Sequence, residues 1–297
     1  MKKIIHIIFL LIYVSGSQAI AQEVIQIEPL FEYPVAPDNL DSLEERCNYL
    51  VKNFWDGFNF KSKQTVDQNA LNDAFMVYVS SMAYANDKYV EQSLDKLIEK
   101  ISGNPALLLQ FCKGAEVNLY GPKAQFWYDP YYLKFLDALI KNKKIPESRK
   151  TKYINQANSL RESAIDNIAP SFEFRNPLGE IKNYFPMTTP TILIFGNPED
   201  TDWRLARLRM DSNFKLGEAI DKGKLNVLFI LPSTQDNWKE SFSLYNKKWT
   251  VGQSDDVSKH YDIRLIPSIY LIGADGKILM KNAPLNQVIE SALGLLN

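Results

Sequence analysis

An all-α domain followed by an α/β domain is the fold class this sequence predicts, and three observations predict it. Apolar residues recur every three or four positions from residue 39 to residue 168, the period of helices with one buried face. At residue 169 that texture gives way to short apolar or alternating runs, the pattern of strands. The later elements then fall in the order hairpin, β-α-β, β-β-α, which describes a sheet covered by helices.

Taken in chain order, the first element is a leader. Lys2-Lys3 supplies a positive start, Ile4 to Val14 is apolar apart from His6, and Ala19-Ile20-Ala21 is an A-x-A cleavage pattern. The apolar run of about 11 residues is too short to anchor in a bilayer. We therefore expect a signal peptide over 1–21 and an exported chain, periplasmic or extracellular, with no membrane anchor after cleavage. Residues 22–38 carry Pro29, Pro34 and Pro37 and read as an extended leader.

The helical domain is expected over 39–166. Leu40, Leu43, Cys47, Leu50, Phe54 and Phe58 mark a first helical face. Val90, Leu94, Leu97, Ile98 and Ile101 mark another, and Leu108, Cys112, Ala115 and Leu119 a third. Tyr132, Phe135, Leu136 and Leu139 follow, and then Ile154, Ala157, Leu160, Ala164, Ile165 and Ile168. Breaks at Gly103-Asn104-Pro105, Gly121-Pro122, Asp129-Pro130 and Ile145-Pro146 separate about six helices.

The α/β domain is expected over 167–297. Phe172 and Phe174 alternate with polar neighbours, and Asn176-Pro177-Leu178-Gly179 turns them into a hairpin. Residues 190–195 and 225–231 are apolar strands flanking one helix from Arg204 to Lys222, whose apolar face reads Leu205, Leu208, Phe214, Leu216 and Ile220. Residues 268–272 and 277–280 form a second hairpin on an Asp275-Gly276 turn. Leu285, Val288, Ile289, Ala292 and Leu295 make a closing helix.

Charge and composition exclude several classes. The chain carries a formal net charge of −1, and loss of Lys2 and Lys3 makes it two units more acidic. No basic excess points to nucleic acid. With two cysteines in the whole chain and one histidine beyond the leader, there is no recognisable zinc site. No Gly-rich phosphate loop, G-x-S-x-G elbow or H-E-x-x-H motif occurs. No cofactor is implied.

Three segments carry a resemblance. They are "NIAPSFEFRNPLGE" (167–180), the strand-turn-helix at 190–210, and "YDIRLIPSIYLIGADGKIL" (261–279). Together, over roughly 165–297, they resemble the thioredoxin-like superfamily, in particular its exported TlpA/ResA and AhpC/TSA branch. The helical part, with "FWDGF" (54–58) and "AEVNLYGP" (115–122), is similar to an uncharacterised helical domain that precedes thioredoxin-like domains in some exported envelope proteins. The resemblance implies an α/β thioredoxin-like C-terminal domain after an all-α domain. It also implies a cis-proline at Pro267, with Ile266 as the residue whose backbone bonds to peptide.

The same resemblance places the two redox cysteines at Asp200 and Trp203, where this chain has no sulfur. Thiol–disulfide exchange needs an attacking thiolate and a resolving thiol. An aspartate at a helix N-terminus instead caps free N–H groups, worth typically about 1 kcal/mol relative to alanine. Metal binding by Glu199, Asp200 and Asp202 is the rival reading, although the calcium-loop spacing is absent. Trp203 has two readings: packed against Pro267 it fills the former groove, and exposed it contacts a partner. The candidate binding residues are thus Asp200, Trp203, Ile266 and Pro267, with no catalytic residue and no metal ligand.

Cys47 and Cys112 fall on apolar helical faces, as two buried thiols or as one structural disulfide. That disulfide would close a loop of about 65 residues, worth roughly 4 kcal/mol in the chain-entropy model. His260 stands alone and reads as structural. Residues 141–152 read as a solvated turn. The aromatic run 125–136 reads as core or inter-domain packing, or as a recognition surface. Three functions remain open: a binding or scaffolding module of the cell envelope that takes an extended peptide or an envelope protein, a thiol–disulfide oxidoreductase, or a spacer for the helical domain.

Overall fold

The computed structural model describes residues 29–62, 65–186, 188–234, 238–243 and 245–296. The expected signal peptide and the start of the 22–38 leader lie outside the described residues. Among the described residues, no helix is long and apolar enough to cross a membrane.

Six α-helices come first: α1 (Leu43–Asn53), α2 (Gln68–Met82), α3 (Asp87–Ser102), α4 (Pro105–Ala115), α5 (Asp129–Lys141) and α6 (Thr151–Glu162). Their starts are written in the sequence. Ser42 and Glu45 form a reciprocal capping box on α1. Asp67, Asn86 and Asn104 cap α2, α3 and α4, and Pro105 occupies the first turn of α4, where a missing N–H costs nothing. The core is aromatic: Trp55 meets the rings of Phe54, Phe58, Phe75, Tyr78 and Phe111, each with centroids 5.0–6.1 Å away. Phe31 and Tyr33 of the leader close over it. Inside, the Tyr78 hydroxyl donates to Ser93 Oγ, which donates to the Val51 carbonyl, so those buried polar groups are satisfied.

The apolar face expected to run on to Ile168 stops short. α6 ends at Glu162, and Ile165 and Ile168 are exposed. The reason is tertiary: Asp166 takes a left-handed φ of 69°, and its N–H, with that of Ala169, donates to carbonyls of Ile278 and Gly276. The chain is captured by the last hairpin before another helical turn can form.

The second part is a seven-stranded mixed sheet: β1 (Phe172–Arg175), β2 (Ile181–Tyr184), β3 (Thr191–Phe195), β4 (Asn226–Leu231), β5 (Thr250–Gln253), β6 (Ser268–Ile272) and β7 (Ile278–Met280), in spatial order β2-β1-β5-β4-β3-β6-β7. β3, β4 and β5 run parallel, and the other pairings are antiparallel. Strand periodicity divides the core cleanly. Ile192, Ile194, Val227, Phe229, Ile269 and Leu271 face one side with α7 (Thr201–Asp211), α8 (Phe214–Asp221) and α11 (Leu285–Gly294). Leu193, Phe195, Leu228, Ile230, Tyr270 and Ile272 face the other, with Tyr261 and Val257 of the α10 (Val257–His260) region. A short α9 (Trp238–Ser241) completes the set.

Two details depart from expectation. β5 is absent from the sequence reading, because Thr250-Val251-Gly252-Gln253 is too short and too mixed to show a period. Its Gly252 is fixed by packing, since a Cβ there would lie 2.3 Å from the Phe174 ring. The helix expected over 204–222 is two helices, broken at Ser212-Asn213, with the Asn213 side chain capping α8. Of its expected apolar face, Leu216 is buried and Ile220 packs against the core, but the part on α7 and at Phe214 is wrong. Trp203, Arg207 and Met210 are buried, while Leu205, Leu208 and Phe214 face solvent.

Candidate functional site

β3 delivers the chain through Gly196 and a turn to Asp200 at the N-terminus of α7. The Asp200 backbone is extended, and its Oδ1 accepts the Trp203 N–H at 2.8 Å. Pro267, after a cis Ile266–Pro267 bond, lies against the same strand end. A Cβ on Gly196 would be 3.5 Å from the Pro267 ring and 3.1 Å from that of Phe229. Ile266 is 46% exposed. The fold therefore brings the α7 turn and the proline segment to one end of the sheet.

Of its two expected roles, Trp203 does not take the exposed one. It is 0% exposed, so it offers nothing to a partner and is removed from the candidate binding residues. Its contacts are with the core: the indole stacks on Phe229 at 4.8 Å, and Nε1 donates to the Tyr245 hydroxyl at 2.6 Å. Burial pushes the Tyr245 phenol up to about 12, so it stays a neutral hydrogen-bonding group. Phe242, Trp238 and Trp249 extend the same aromatic cluster.

Cys47 and Cys112 are free, buried thiols, in α1 and α4 of the helical part. Burial raises both pKa values, that of Cys112 most strongly, which leaves little thiolate. Among the described residues, no group of three or more His, Cys, Asp or Glu side chains could hold a metal ion, Glu199, Asp200 and Asp202 included.

The most buried ion pair among the described residues lies one step along the proline segment and was missed in the sequence. Asp262 and Arg264 point into the junction between the helical part and the sheet. Arg264 Nε donates to both Asp262 oxygens at 3.0 and 2.9 Å, and Nη2 reaches Asp129 of α5 at 2.6 Å. Lys281 Nζ lies 2.9 Å from both Asp129 and Asp262. Side-chain exposures of 0% for Asp262, 2% for Arg264 and 9% for Lys281 make three members of this charge-balanced quartet dry, while Asp129, at 31%, meets solvent at its edge. The Arg264 guanidinium also sits 4.1 Å above the Tyr120 ring and 5.1 Å from that of Trp127. Burial pushes the Asp262 carboxyl up, but Arg264 and Lys281 more than offset it, and the group lies below the usual carboxylate range.

Tyr120 ends a π-helical turn, Glu116–Tyr120, that runs straight on from α4. Beside it opens a cleft of about 400 Å³ between α6 and the proline segment, lined by Gln156, Ser159, Tyr261, Ile263 and Arg264. His260 closes part of the same junction, its Nδ1 2.6 Å from Glu162. The aromatic run 125–136 divides between core and junction, with Tyr132 buried and Trp127 near Arg264. The signal in the sequence was two charges, Asp262 and Arg264, set at i and i+2 in the otherwise apolar run from Tyr261 to Ile266.

A sheet of this order with a cis-proline before β6, preceded by a helical bundle, defines a thioredoxin-like fold with an all-α N-terminal domain. Comparison with solved structures agrees. The chain is 21% identical to a thioredoxin-like protein from Bacteroides caccae, with a TM-score of 0.68 over 90% of this chain and 99% of that one. A thiol-disulfide oxidoreductase from Bacteroides fragilis matches 44% of this chain and 100% of its own, at 20% identity and a TM-score of 0.38. The chain belongs to the family described as Domain of unknown function (DUF5106), whose model matches residues 15–163. No curated protein matches it.

Proposed function

We propose that this protein is an exported thioredoxin-fold module that has lost dithiol chemistry and serves in binding or scaffolding at the cell envelope. The observation that carries the reading is the capped turn. The Asp200 carboxylate occupies the helix N-terminus where a thiolate would be activated, and Trp203 fills the resolving position from within the core. A carboxylate there stabilises the helix but cannot attack sulfur. Both thiols of the chain are buried in the other domain. What the fold retains is the exposed Ile266 before Pro267, an edge where an extended peptide adds by main-chain hydrogen bonds.

An insulin-reduction assay on the mature chain tests this. The expected result is no turnover above the dithiothreitol background. Turnover that disappears in Cys47→Ser or Cys112→Ser would overturn the reading in favour of an oxidoreductase. The graft Asp200→Cys with Trp203→Cys is the positive arm and is expected to gain activity. It is also expected to lose about 3–5 kcal/mol of stability, because it empties a buried tryptophan site.

A further inference from the structure

The helix α7 is amphipathic the wrong way round. With about 100° per residue, Leu208 and Leu205 fall roughly 40° and 100° round the helix from Arg204, and Arg209 about 140°. The buried Trp203, Arg207 and Met210 lie on the opposite side. The two leucines therefore occupy the middle of the solvent-facing arc, with an arginine on either flank, while an arginine faces the interior. Leu205 is 52% exposed and Leu208 55%, and Phe214, opening α8, is 82% exposed and followed by Lys215. Single exposed apolar residues are ordinary on protein surfaces. Here two leucines share one exposed face of α7 and a third exposed apolar side chain opens the next helix, with cations beside them, and exposed apolar clusters of that kind mark interfaces.

The charges define the partner. Among the described residues, no carboxylate pairs with Arg204, Arg209 or Lys215, whereas Arg207 is tied to Asp211 and Lys222 to Glu218. Asp221 is tied to Lys248, which leaves Asp202 as the acid of α7 and α8 that no ion pair holds among the described residues. The patch is thus locally positive on a chain whose net charge is −1. We propose that the α7–α8 face docks an acidic amphipathic segment of a protein partner, its apolar stripe on Leu205, Leu208 and Phe214 and its carboxylates on Arg204, Arg209 and Lys215. Arginine and aromatic residues are favoured in protein interfaces, and a guanidinium fits a carboxylate in two-point fashion. A bilayer surface is the poorer match, because stable insertion needs a longer apolar face than two leucines and one phenylalanine provide. The inference concerns residues other than the Ile266–Pro267 edge and stands whether or not that edge takes peptide.

The test is fluorescence anisotropy on the full chain with a designed helical peptide, carrying leucines at i, i+3 and i+7 flanked by glutamates, and a second peptide with lysines in their place. The glutamate peptide is expected to bind at least about tenfold tighter than the lysine peptide, and less tightly as salt rises. Leu205→Asn with Leu208→Asn, both on the solvent side and so compatible with folding, is expected to weaken it by about tenfold or more. Arg204→Glu with Arg209→Glu is expected to reverse the preference between the peptides. Equal affinity for both peptides, no saturable binding, or indifference to the leucine substitutions would overturn the proposal. So would tight binding to anionic phosphatidylglycerol vesicles lost in the leucine variant, or concentration-dependent self-association lost in that variant. Those outcomes would name a lipid surface or a second copy as the occupant.

Discussion

Replacing Arg264 by methionine keeps much of the side chain's volume and removes its charge from the junction quartet. Asp262, with 0% side-chain exposure, and Asp129 then share Lys281 as their remaining close cation. Removing one partner of a buried pair costs about 3–5 kcal/mol, because the orphaned charge stays in a dry site. Lys281, 2.9 Å from both acids, offsets part of that, so the lower figure, about 3 kcal/mol, is the expectation here. With an m-value of about 2 kcal/mol/M, the urea midpoint falls by about 1.5 M. The pH dependence supplies the sign. In the parent, Asp262 lies below the unfolded carboxylate value, so its contribution is present above about pH 4 and is lost only as pH falls through the lower folded pKa. In the variant, burial is less opposed and the folded carboxyl rises. It then takes up its proton before the unfolded one does, and the stability deficit narrows as pH drops from 7 toward 4.5. The assay is urea unfolding at both pH values, followed by far-ultraviolet circular dichroism and by tryptophan fluorescence. A midpoint change below about 0.3 M, or a deficit that does not change with pH, would refute the idea that a charge-balanced quartet with Asp262 and Arg264 at its buried centre joins the two domains.

Two further outcomes are expected from the helix start and the thiols. Asp200→Ala removes the cap from the Trp203 N–H and should cost about 1 kcal/mol by chemical denaturation, whereas Asp200→Asn should recover most of it; equal losses in the two would mean the side chain does something other than cap. Neither Cys47 nor Cys112 should react with iodoacetamide at pH 8 in the native protein, and both should react in urea, read by mass spectrometry. Rapid labelling of the native chain would show that one of the thiols is accessible after all.

How much of this was legible in the sequence depends on the range of the interaction concerned. Helices α1 and α3 to α6 were visible because their information is local, an apolar period with breaks such as Gly103-Asn104-Pro105, whereas α2 (Gln68–Met82) was given no face and the Ser42–Glu45 box was not read. The strands at 191–195, 226–231 and 268–272 were visible because burial on both faces leaves a continuous apolar run. β5 was not, since its pairing is with β1 and β4 and four residues carry no period of their own. The face of α7 was misread because leucine at i and i+3 looks like a core stripe, whereas the sheet selected Trp203, Arg207 and Met210.

For the candidate site, the chain by itself determined that no cysteine stands at position 200 or 203, where the resemblance places the redox pair. It also placed Pro267, because the segment around it is contiguous. Only the tertiary structure decided that Trp203 turns inward onto Phe229 and Tyr245, and that the two cysteines stay apart as buried thiols. Only the tertiary structure, too, brought Asp129 to Arg264 across 135 residues. The physical reason is common to all three. Each is settled by which surfaces exclude water together once the domains pack, and that depends on residues far apart in the chain.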